Sequence, residues 1–129
     1  MTDNPVFAPG LFAGRHVLVT GGATGIGFGI ARELGGLGAR VTLASRDPAK
    51  LDDAVARLRT EGIAAARQVL NIRDAAAIEA LFATLAATGD LPDALINNAG
   101  GQFSAPALET SANGFRAILD LNLQGGFQM

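Results

Sequence analysis

A short apolar run that breaks into glycines constrains the fold of this chain more than any other feature. Residues 16–27 read HVLVTGGATGIG. The aliphatic residues at 17–19 are typical of a buried strand, and the glycines that follow let the backbone turn sharply and come close to a ligand, because they lack a Cβ. Apolar residues then recur at helical spacing, at Ile26, Ile30, Leu34 and Leu37. The pattern predicts a strand, a turn and a helix whose free N–H groups face the turn, which is a site for an anion, most often a phosphate. The alternative is a tight turn that binds nothing.

Composition excludes several classes of function. The 129 residues fit one domain and carry a net charge of −2, and the lack of cysteine rules out disulfides, a thiol nucleophile and a thiolate metal site. There is no basic cluster to favour nucleic acid as a partner, and no apolar run long enough for a membrane span. Residues 1–5 lack the pattern of a secretion signal, so we expect a soluble, cytoplasmic protein. We expect no metal site, and a structural role for the single histidine, His16.

Strands and helices alternate along the chain. Strands are predicted at about 16–20, 40–44, 63–70 and 94–96, and the helices between them begin near Gly25, Asp47 and Asp74. A last helix follows a loop that ends near Thr110, with one face predicted to be formed by Phe115, Ile118, Leu119 and Asn122. This order predicts an α/β fold, an open parallel sheet with helices on both faces. The loops after the strands, at 21–27, 45–47, 71–72 and 97–103, should meet at the carboxyl edge of the sheet, where such folds bind ligands.

Three motifs carry a family resemblance. The glycine turn at 20–27 (TGGATGIG), the NNAG sequence at 97–100 and Asn122 together resemble the short-chain dehydrogenase/reductase family over nearly the whole chain. The resemblance implies a Rossmann-type doubly wound sheet and a bound nicotinamide dinucleotide. It assigns the cofactor's pyrophosphate and nearby ribose to the turn residues Gly21, Ala23, Thr24, Gly25, Ile26 and Gly27, its adenine to Asn71 and Ile72, and its middle to Asn98, Ala99 and Gly100. Asn97 is either part of this site or a turn residue that closes the strand.

The end of the second strand predicts the type of cofactor. NAD binders usually place an acid there to accept hydrogen bonds from the ribose hydroxyls, whereas the 2′-phosphate of NADP favours an arginine. Here the tip reads Ser45-Arg46, and Asp47 before Pro48 is expected to cap the next helix. We therefore predict NADP(H), bound through Ser45 and Arg46. The alternative for Arg46 is a solvated surface charge.

The loop after the fourth strand narrows the resemblance. The sequence GGQFSAP at 100–106, with residues 114–123, resembles the branch of the family that contains the peroxisomal trans-2-enoyl-CoA reductase and the 2,4-dienoyl-CoA reductases. That branch implies transfer of hydride from NADPH to the conjugated double bond of an acyl-CoA in fatty acid metabolism. Gln102, as donor and acceptor, and Phe103, as an apolar wall, are the candidate substrate residues. The alternative for this loop is a flexible exposed segment. The alternatives for the function are an NADP-dependent alcohol or carbonyl dehydrogenase, a non-catalytic nucleotide-binding module and a non-functional remnant.

One departure from the family is large. The family's serine, tyrosine and lysine would lie beyond residue 129, and the chain contains no tyrosine. Of the catalytic group only Asn122 is present, and the alternative for it is an asparagine that satisfies backbone groups. We therefore expect residues 1–129 to be the NADP-binding portion of a single domain, truncated after the fourth strand and the start of the following helix. Such a fragment should be inactive and marginally stable, and its parent a homo-oligomer.

Overall fold

The computed structural model describes residues 6–129, and the segment 1–5, for which no secretion signal was expected, lies outside it. The elements in chain order are β1 His16–Thr20, α1 Gly25–Gly36, β2 Arg40–Ser45, α2 Pro48–Thr60, β3 Ala65–Val69, α3 Ala75–Ala87 and β4 Ala94–Ile96. After a single 3-10 turn at Ala107–Glu109, the last helical segment consists of α4 Ala112–Leu119, a π-helical turn at Asp120–Gln124 and α5 Gly125–Gln128. The predicted alternation of strands and helices is confirmed. None of the helices in the described range is long and apolar enough to cross a bilayer.

The four strands form one parallel sheet in the order β3-β2-β1-β4. The chain moves outward from β1 through β2 to β3, and then returns to place β4 on the other side of β1. Val17 accordingly lies between Val41 on one side and Ala94 on the other. The reversal creates a switch point between β1 and β4, where the loops after neighbouring strands diverge and leave a crevice.

Side chains from β1 and β2 alternate between two apolar layers, which is why both strands read as nearly continuous hydrophobic runs. On one face, Val17, Val19, Val41 and Leu43 pack with α1 and α2. On the other, Leu18 and Ala44 pack with Ile78 of α3 and with Leu121 of the π-helical turn. The face of α2 predicted to be buried is buried, and it consists of Leu51, Ala54, Val55 and Leu58. Helices therefore cover both faces, and the Rossmann-type doubly wound fold is confirmed.

Side-chain caps fix where two of the helices begin. The Asp47 carboxylate accepts hydrogen bonds from the backbone N–H groups of Ala49 (3.0 Å) and Lys50 (3.2 Å), and Pro48 is the first residue of α2. Asp74 accepts from Ala77 N at 3.0 Å at the start of α3. Both caps were predicted, and each satisfies donors that a helix leaves free in its first turn. The cap directs the Asp47 carboxylate to its own helix.

The last helical segment packs on the core through residues outside the predicted face. On that face, Phe115 and Leu119 are 58% and 39% exposed. Leu121 and Gly125 face the core instead, and a Cβ on Gly125 would lie 2.9 Å from Cδ1 of Ile72. The π-helical turn between α4 and α5 changes the angular spacing that a 3.6-residue period assumes, and a glycine allows closer contact than an aromatic residue would.

Candidate functional site

The turn between β1 and α1 needs glycine at three positions for different reasons. Gly21 (φ +65°) and Gly25 (φ +54°) adopt the left-handed conformation that side chains disfavour. Gly27 has ordinary backbone angles, but a Cβ there would lie 2.3 Å from the carbonyl oxygen of Gly21. Around Gly25, by contrast, nothing lies within 4 Å of the position a Cβ would take. The turn therefore packs tightly against Gly27, whereas the side of Gly25 on which a Cβ would lie is open.

The start of α1 lacks the groups that usually satisfy a helix N-terminus. Thr24 occupies the N-cap position in an extended conformation, but its side chain makes no capping hydrogen bond, and the first turn contains no acidic residue. Backbone bonding along the helix begins with Phe28 N donating to Thr24 O at 3.2 Å. The N–H groups before it are available to an anion, and the positive end of the helix dipole adds to the attraction.

Thr20 and Asn98 join the glycine turn to the loop after β4. The buried Thr20 hydroxyl accepts hydrogen bonds from the backbone N–H groups of Asn98 (3.1 Å) and Ala99 (3.0 Å) and donates to Ile96 O at 3.3 Å. In return, the Asn98 amide donates to the carbonyl oxygens of Thr20 (3.0 Å) and Gly21 (3.3 Å). These reciprocal bonds hold the two loops together across the switch point.

A cleft of about 400 Å³ opens at the carboxyl ends of the strands. The structure brings together there every residue predicted for the cofactor except Ala23, along with three that were not predicted, Ala44, Leu70 and Leu121. Ala23 is buried in the core layer beneath the turn and borders only adjoining depressions. The three missed residues are apolar side chains that form the floor. Their positions follow from strand register and from the packing of the last helix, neither of which a local motif reveals.

A side cleft adjoins the main one at the end of β2. Ser45 and Arg46 border both, and the side cleft is completed by Gly21, Ala23, Thr24, Asp47, Pro48 and Lys50. Arg46 is exposed, and its guanidinium makes no ion pair or hydrogen bond within residues 6–129. Asp47 is already engaged, with one oxygen in the α2 cap and the other 3.7 Å from Nζ of Lys50. Among the residues that line the side cleft, Arg46 is thus a cation without an ion-pair partner, whereas Lys50 is paired with Asp47.

The loop after β3 supplies another wall. Asn71 Oδ1 accepts from Arg73 N at 3.2 Å, which stabilises the turn that leads into α3. Ile72 is buried against Gly125, yet both Asn71 and Ile72 reach the main cleft. Asn71 and Ile72 therefore meet the glycine turn and the loop after β4 at one cleft, as predicted for the loops that follow the strands.

The loop after β4 is held by the last helical segment. Asn122 Nδ2 donates to Gly101 O (2.7 Å) and to Ile118 O (2.9 Å), and Gly101 N donates back to Oδ1 at 3.1 Å. Asn97 Nδ2 donates to Gly126 O at 3.0 Å, which supports its interpretation as a structural residue. Both carboxamides bond backbone groups, as expected of asparagines next to irregular backbone.

The two candidate substrate residues lie away from the main cleft. Gln102 borders a small separate depression with Gly100, Gly101, Ile118 and Asn122. Phe103 is 49% exposed, and its ring packs on Gly114, where a Cβ would lie 2.7 Å from Cζ of Phe103. Of the loop after β4, the structure therefore brings only Asn98, Ala99 and Gly100 to the main cleft.

His16 lies at the opposite end of β1, at the amino edge of the sheet. Its Nε2 lies 2.8 Å from the Thr42 hydroxyl, and burial, together with the nearby Arg40 charge, lowers the pKa of its imidazole. Arg40 also bonds Asp90 and holds the pKa of that carboxyl below its usual value. Within residues 6–129, no group of three or more His, Asp or Glu side chains is placed to hold a metal ion.

Comparison with known proteins identifies the architecture. The sequence profile described as short chain dehydrogenase matches residues 15–129. The peroxisomal 2,4-dienoyl-CoA reductase of Arabidopsis thaliana is 41% identical over 128 residues, which cover 98% of this chain and 42% of that protein. Among solved structures, the citronellol catabolism dehydrogenase of Pseudomonas aeruginosa superposes with a TM-score of 0.89 at 37% identity, over 97% of this chain and 51% of that one. A variant of actinorhodin polyketide ketoreductase solved with NADPH gives a TM-score of 0.82 at 33% identity, over 88% and 44% of the two chains.

The matches cover only part of each relative's length. The chain spans less than half the length of the first curated relatives, between 42% and 47% of each. The matched region contains the glycine turn, the cleft and the loop after β4, and the profile extends over all the elements from β1 onward. The chain belongs to the short-chain dehydrogenase/reductase family.

Proposed function

We propose that the protein is an NADP(H)-dependent oxidoreductase that reduces the conjugated double bond of an enoyl-CoA. The observation that carries the cofactor assignment is the free guanidinium of Arg46 at the end of β2, next to a cleft lined by glycines and backbone N–H groups. NADPH would supply the hydride when bound. The residues of this chain would hold and orient it.

The cleft fits a dinucleotide on three counts. The uncapped start of α1 offers N–H groups to a diphosphate, and the open space at Gly25 lets the backbone approach it. Asn71 and Ile72 border the part of the cleft that we assign to the adenine. We assign the middle of the cofactor to Asn98, Ala99 and Gly100. The Thr20 hydroxyl bonds the backbone N–H groups of Asn98 and Ala99, and Asn122 bonds the backbone of the adjoining Gly101.

The choice of NADP(H) over NAD(H) rests on charge. An acid able to accept hydrogen bonds from both ribose hydroxyls would favour NAD, but Asp47 is committed to the α2 cap. Arg46 is free to form paired, charge-assisted hydrogen bonds with a 2′-phosphate, and the Ser45 hydroxyl is a neutral donor beside it.

Arg46→Asp tests this assignment. The wild-type protein should bind NADP⁺ more tightly than NAD⁺, and the variant should reverse the preference, with NADP⁺ affinity falling by about tenfold or more because a charge-assisted hydrogen bond contributes roughly 1.5–3 kcal/mol. Arg116→Asp makes the same charge change on the exposed side of α4 and should leave the ratio of dissociation constants unchanged. Equal affinity for both cofactors in the wild type and in Arg46→Asp would contradict the charge argument.

The enoyl-CoA substrate is supported by the resemblance of the loop at 100–106 and by the name of the Arabidopsis relative. We propose that Gln102 and Phe103 border the acyl chain and that Asn122 belongs to the catalytic group. We also propose that residues 1–129 are the NADP-binding portion of one domain, so the chain of this length should bind NADPH without turnover. The complete protein should oxidise NADPH when given a trans-2-enoyl-CoA.

A second candidate is an NADP-dependent alcohol or carbonyl dehydrogenase, which is favoured by the similarity to the citronellol catabolism dehydrogenase. NADP⁺ reduction with an alcohol, and no NADPH oxidation with enoyl-CoA, would select it. Micromolar NADPH binding with neither activity in the complete protein would select a non-catalytic module. A role in fatty acid metabolism and a homo-oligomeric parent are part of the proposal. The cytoplasmic location stays a prediction, since the Arabidopsis relative is named as peroxisomal.

A further inference from the structure

We infer that Lys50 provides a second cation for the 2′-phosphate of NADP(H), an inference that rests on the proposed function. Lys50 is the only lysine of the chain, and it borders the same side cleft as Ser45 and Arg46. It approaches from the first turn of α2, whereas Arg46 approaches from the end of β2. The two cations therefore enter the side cleft from different elements.

Asp47 holds the Lys50 side chain at this cleft. Its Oδ2 lies 3.7 Å from Nζ of Lys50, while its Oδ1 accepts the backbone N–H groups of Ala49 and Lys50. The capped carboxylate is fixed in position, and its second oxygen lies within ion-pair distance of the ammonium at the side cleft. The Lys50 side chain is 64% exposed, and it therefore remains free to contact a ligand as well.

The charge balance of the side cleft favours a second cation. A phosphate monoester carries roughly −1.5 to −2 near neutral pH. Arg46 contributes +1, and the Asp47 carboxylate, which borders the same cleft, contributes −1. With these two groups alone the site would be neutral, and Lys50 makes it positive. The neighbouring charges on α2, Asp53 and Arg57, pair with each other at 3.7 Å and do not alter this balance.

Replacing Lys50 by glutamine tests the inference. Binding of NADP⁺, NAD⁺, 2′,5′-ADP and ADP is measured by titration calorimetry at low and high salt. We expect Lys50→Gln to weaken NADP⁺ and 2′,5′-ADP about three- to fivefold at low salt, as for an exposed ionic contact, and to leave NAD⁺ and ADP unchanged. The difference should shrink as salt is raised. Lys50→Arg should retain most of the affinity.

A matched control lies on the same helix. Arg57→Gln also removes one positive charge from α2, but Arg57 pairs with Asp53 and stacks on the ring of Phe28, and it does not border the side cleft. It should leave the ratio of NADP⁺ to NAD⁺ affinity unchanged. An equal loss in this variant would mean that Lys50 acts only through the general field of the helix, and would overturn the inference.

The remaining outcomes separate this inference from the proposed function. If Arg46→Gln lowers the affinity for 2′,5′-ADP and Lys50→Gln does not, the inference about Lys50 fails while the NADP assignment stands. If neither variant distinguishes 2′,5′-ADP from ADP, the NADP assignment itself fails. If Lys50→Gln weakens all four ligands alike, Lys50 has only a structural role, and the inference is refuted.

Discussion

Replacing Thr20 by valine tests whether one hydroxyl holds the glycine turn to the loop after β4. Valine has nearly the shape of threonine, and Thr20 is only 1% exposed, so the variant removes the polar atom with little change in packing. The Thr20 hydroxyl accepts from Asn98 N and Ala99 N and donates to Ile96 O. Asn98 N also donates to Ile96 O at 3.0 Å, so both of these backbone groups keep a hydrogen bond when the hydroxyl is lost.

The cost of the substitution falls on Ala99. Its N–H has the Thr20 hydroxyl as its partner and would lose that hydrogen bond in the variant. An unsatisfied donor of this kind costs about 1–3 kcal/mol, and the weakened bonding of the other two groups adds to it, so we expect a loss of about 2–3 kcal/mol in the free energy of unfolding. Because the same bonds position Asn98 and Ala99 in the cleft, NADP⁺ affinity should fall as well.

Urea denaturation measures the loss of stability, and amide hydrogen exchange at Ala99 reports the broken contact directly. Thr20→Ser is the matched control, since it keeps the hydroxyl and removes one buried methyl group, at a cost of about 1 kcal/mol. The Ser variant should retain protection at Ala99, and the Val variant should lose it. The reasoning is refuted if Thr20→Val is as stable as the wild type, or if both variants lose protection equally.

Further predictions concern glycine packing and pH. Gly27→Ala should abolish ligand binding and strongly destabilise the fold, because its Cβ would lie 2.3 Å from the Gly21 carbonyl oxygen. Gly29→Ala, one residue beyond Phe28 in the same helix, meets nothing within 4 Å and should stabilise the protein by about 0.5–1 kcal/mol, as measured by the urea midpoint. Burial lowers the pKa of His16 below its ordinary value of 6.5, so the unfolded chain binds a proton that the folded protein does not. Stability is therefore full above about pH 6.5 and declines below it, and this part of the pH dependence should disappear in His16→Asn, as followed by thermal melts.

The sequence predicted the elements whose signals are local. Strand β1, the Asp47 and Asp74 caps and the buried face of α2 each depend on residues within a few positions of one another, and all are confirmed. The meeting of the glycine turn with the loop after β4 also followed from the parallel topology. The roles proposed for these residues in cofactor binding stay predictions.

Features set by contacts between distant segments were missed or misassigned. The last helix was oriented by its aromatic and aliphatic residues, but Gly125 packs on Ile72, a contact between distant residues that a helical period does not encode. The methyl group of Ala23 packs in the core layer, which its place in the turn did not reveal, and its proposed role in cofactor binding stays a prediction. Leu121 was missed as part of the cleft floor because the π-helical turn changes which residues face inward.

The uncapped start of α1 has a consequence for how ligand and protein depend on each other. An anion bound in the turn would accept the hydrogen bonds that the Thr24 side chain does not supply at the start of α1. Binding of the anion and ordering of the first helical turn therefore stabilise each other. Fraying of the first turn should therefore be suppressed in proportion to saturation. A carboxylate introduced at position 24 would supply the missing cap permanently, stabilising the empty protein while repelling its own ligand. At this one position, a substitution that raises the thermal stability of the protein should lower its affinity for the ligand.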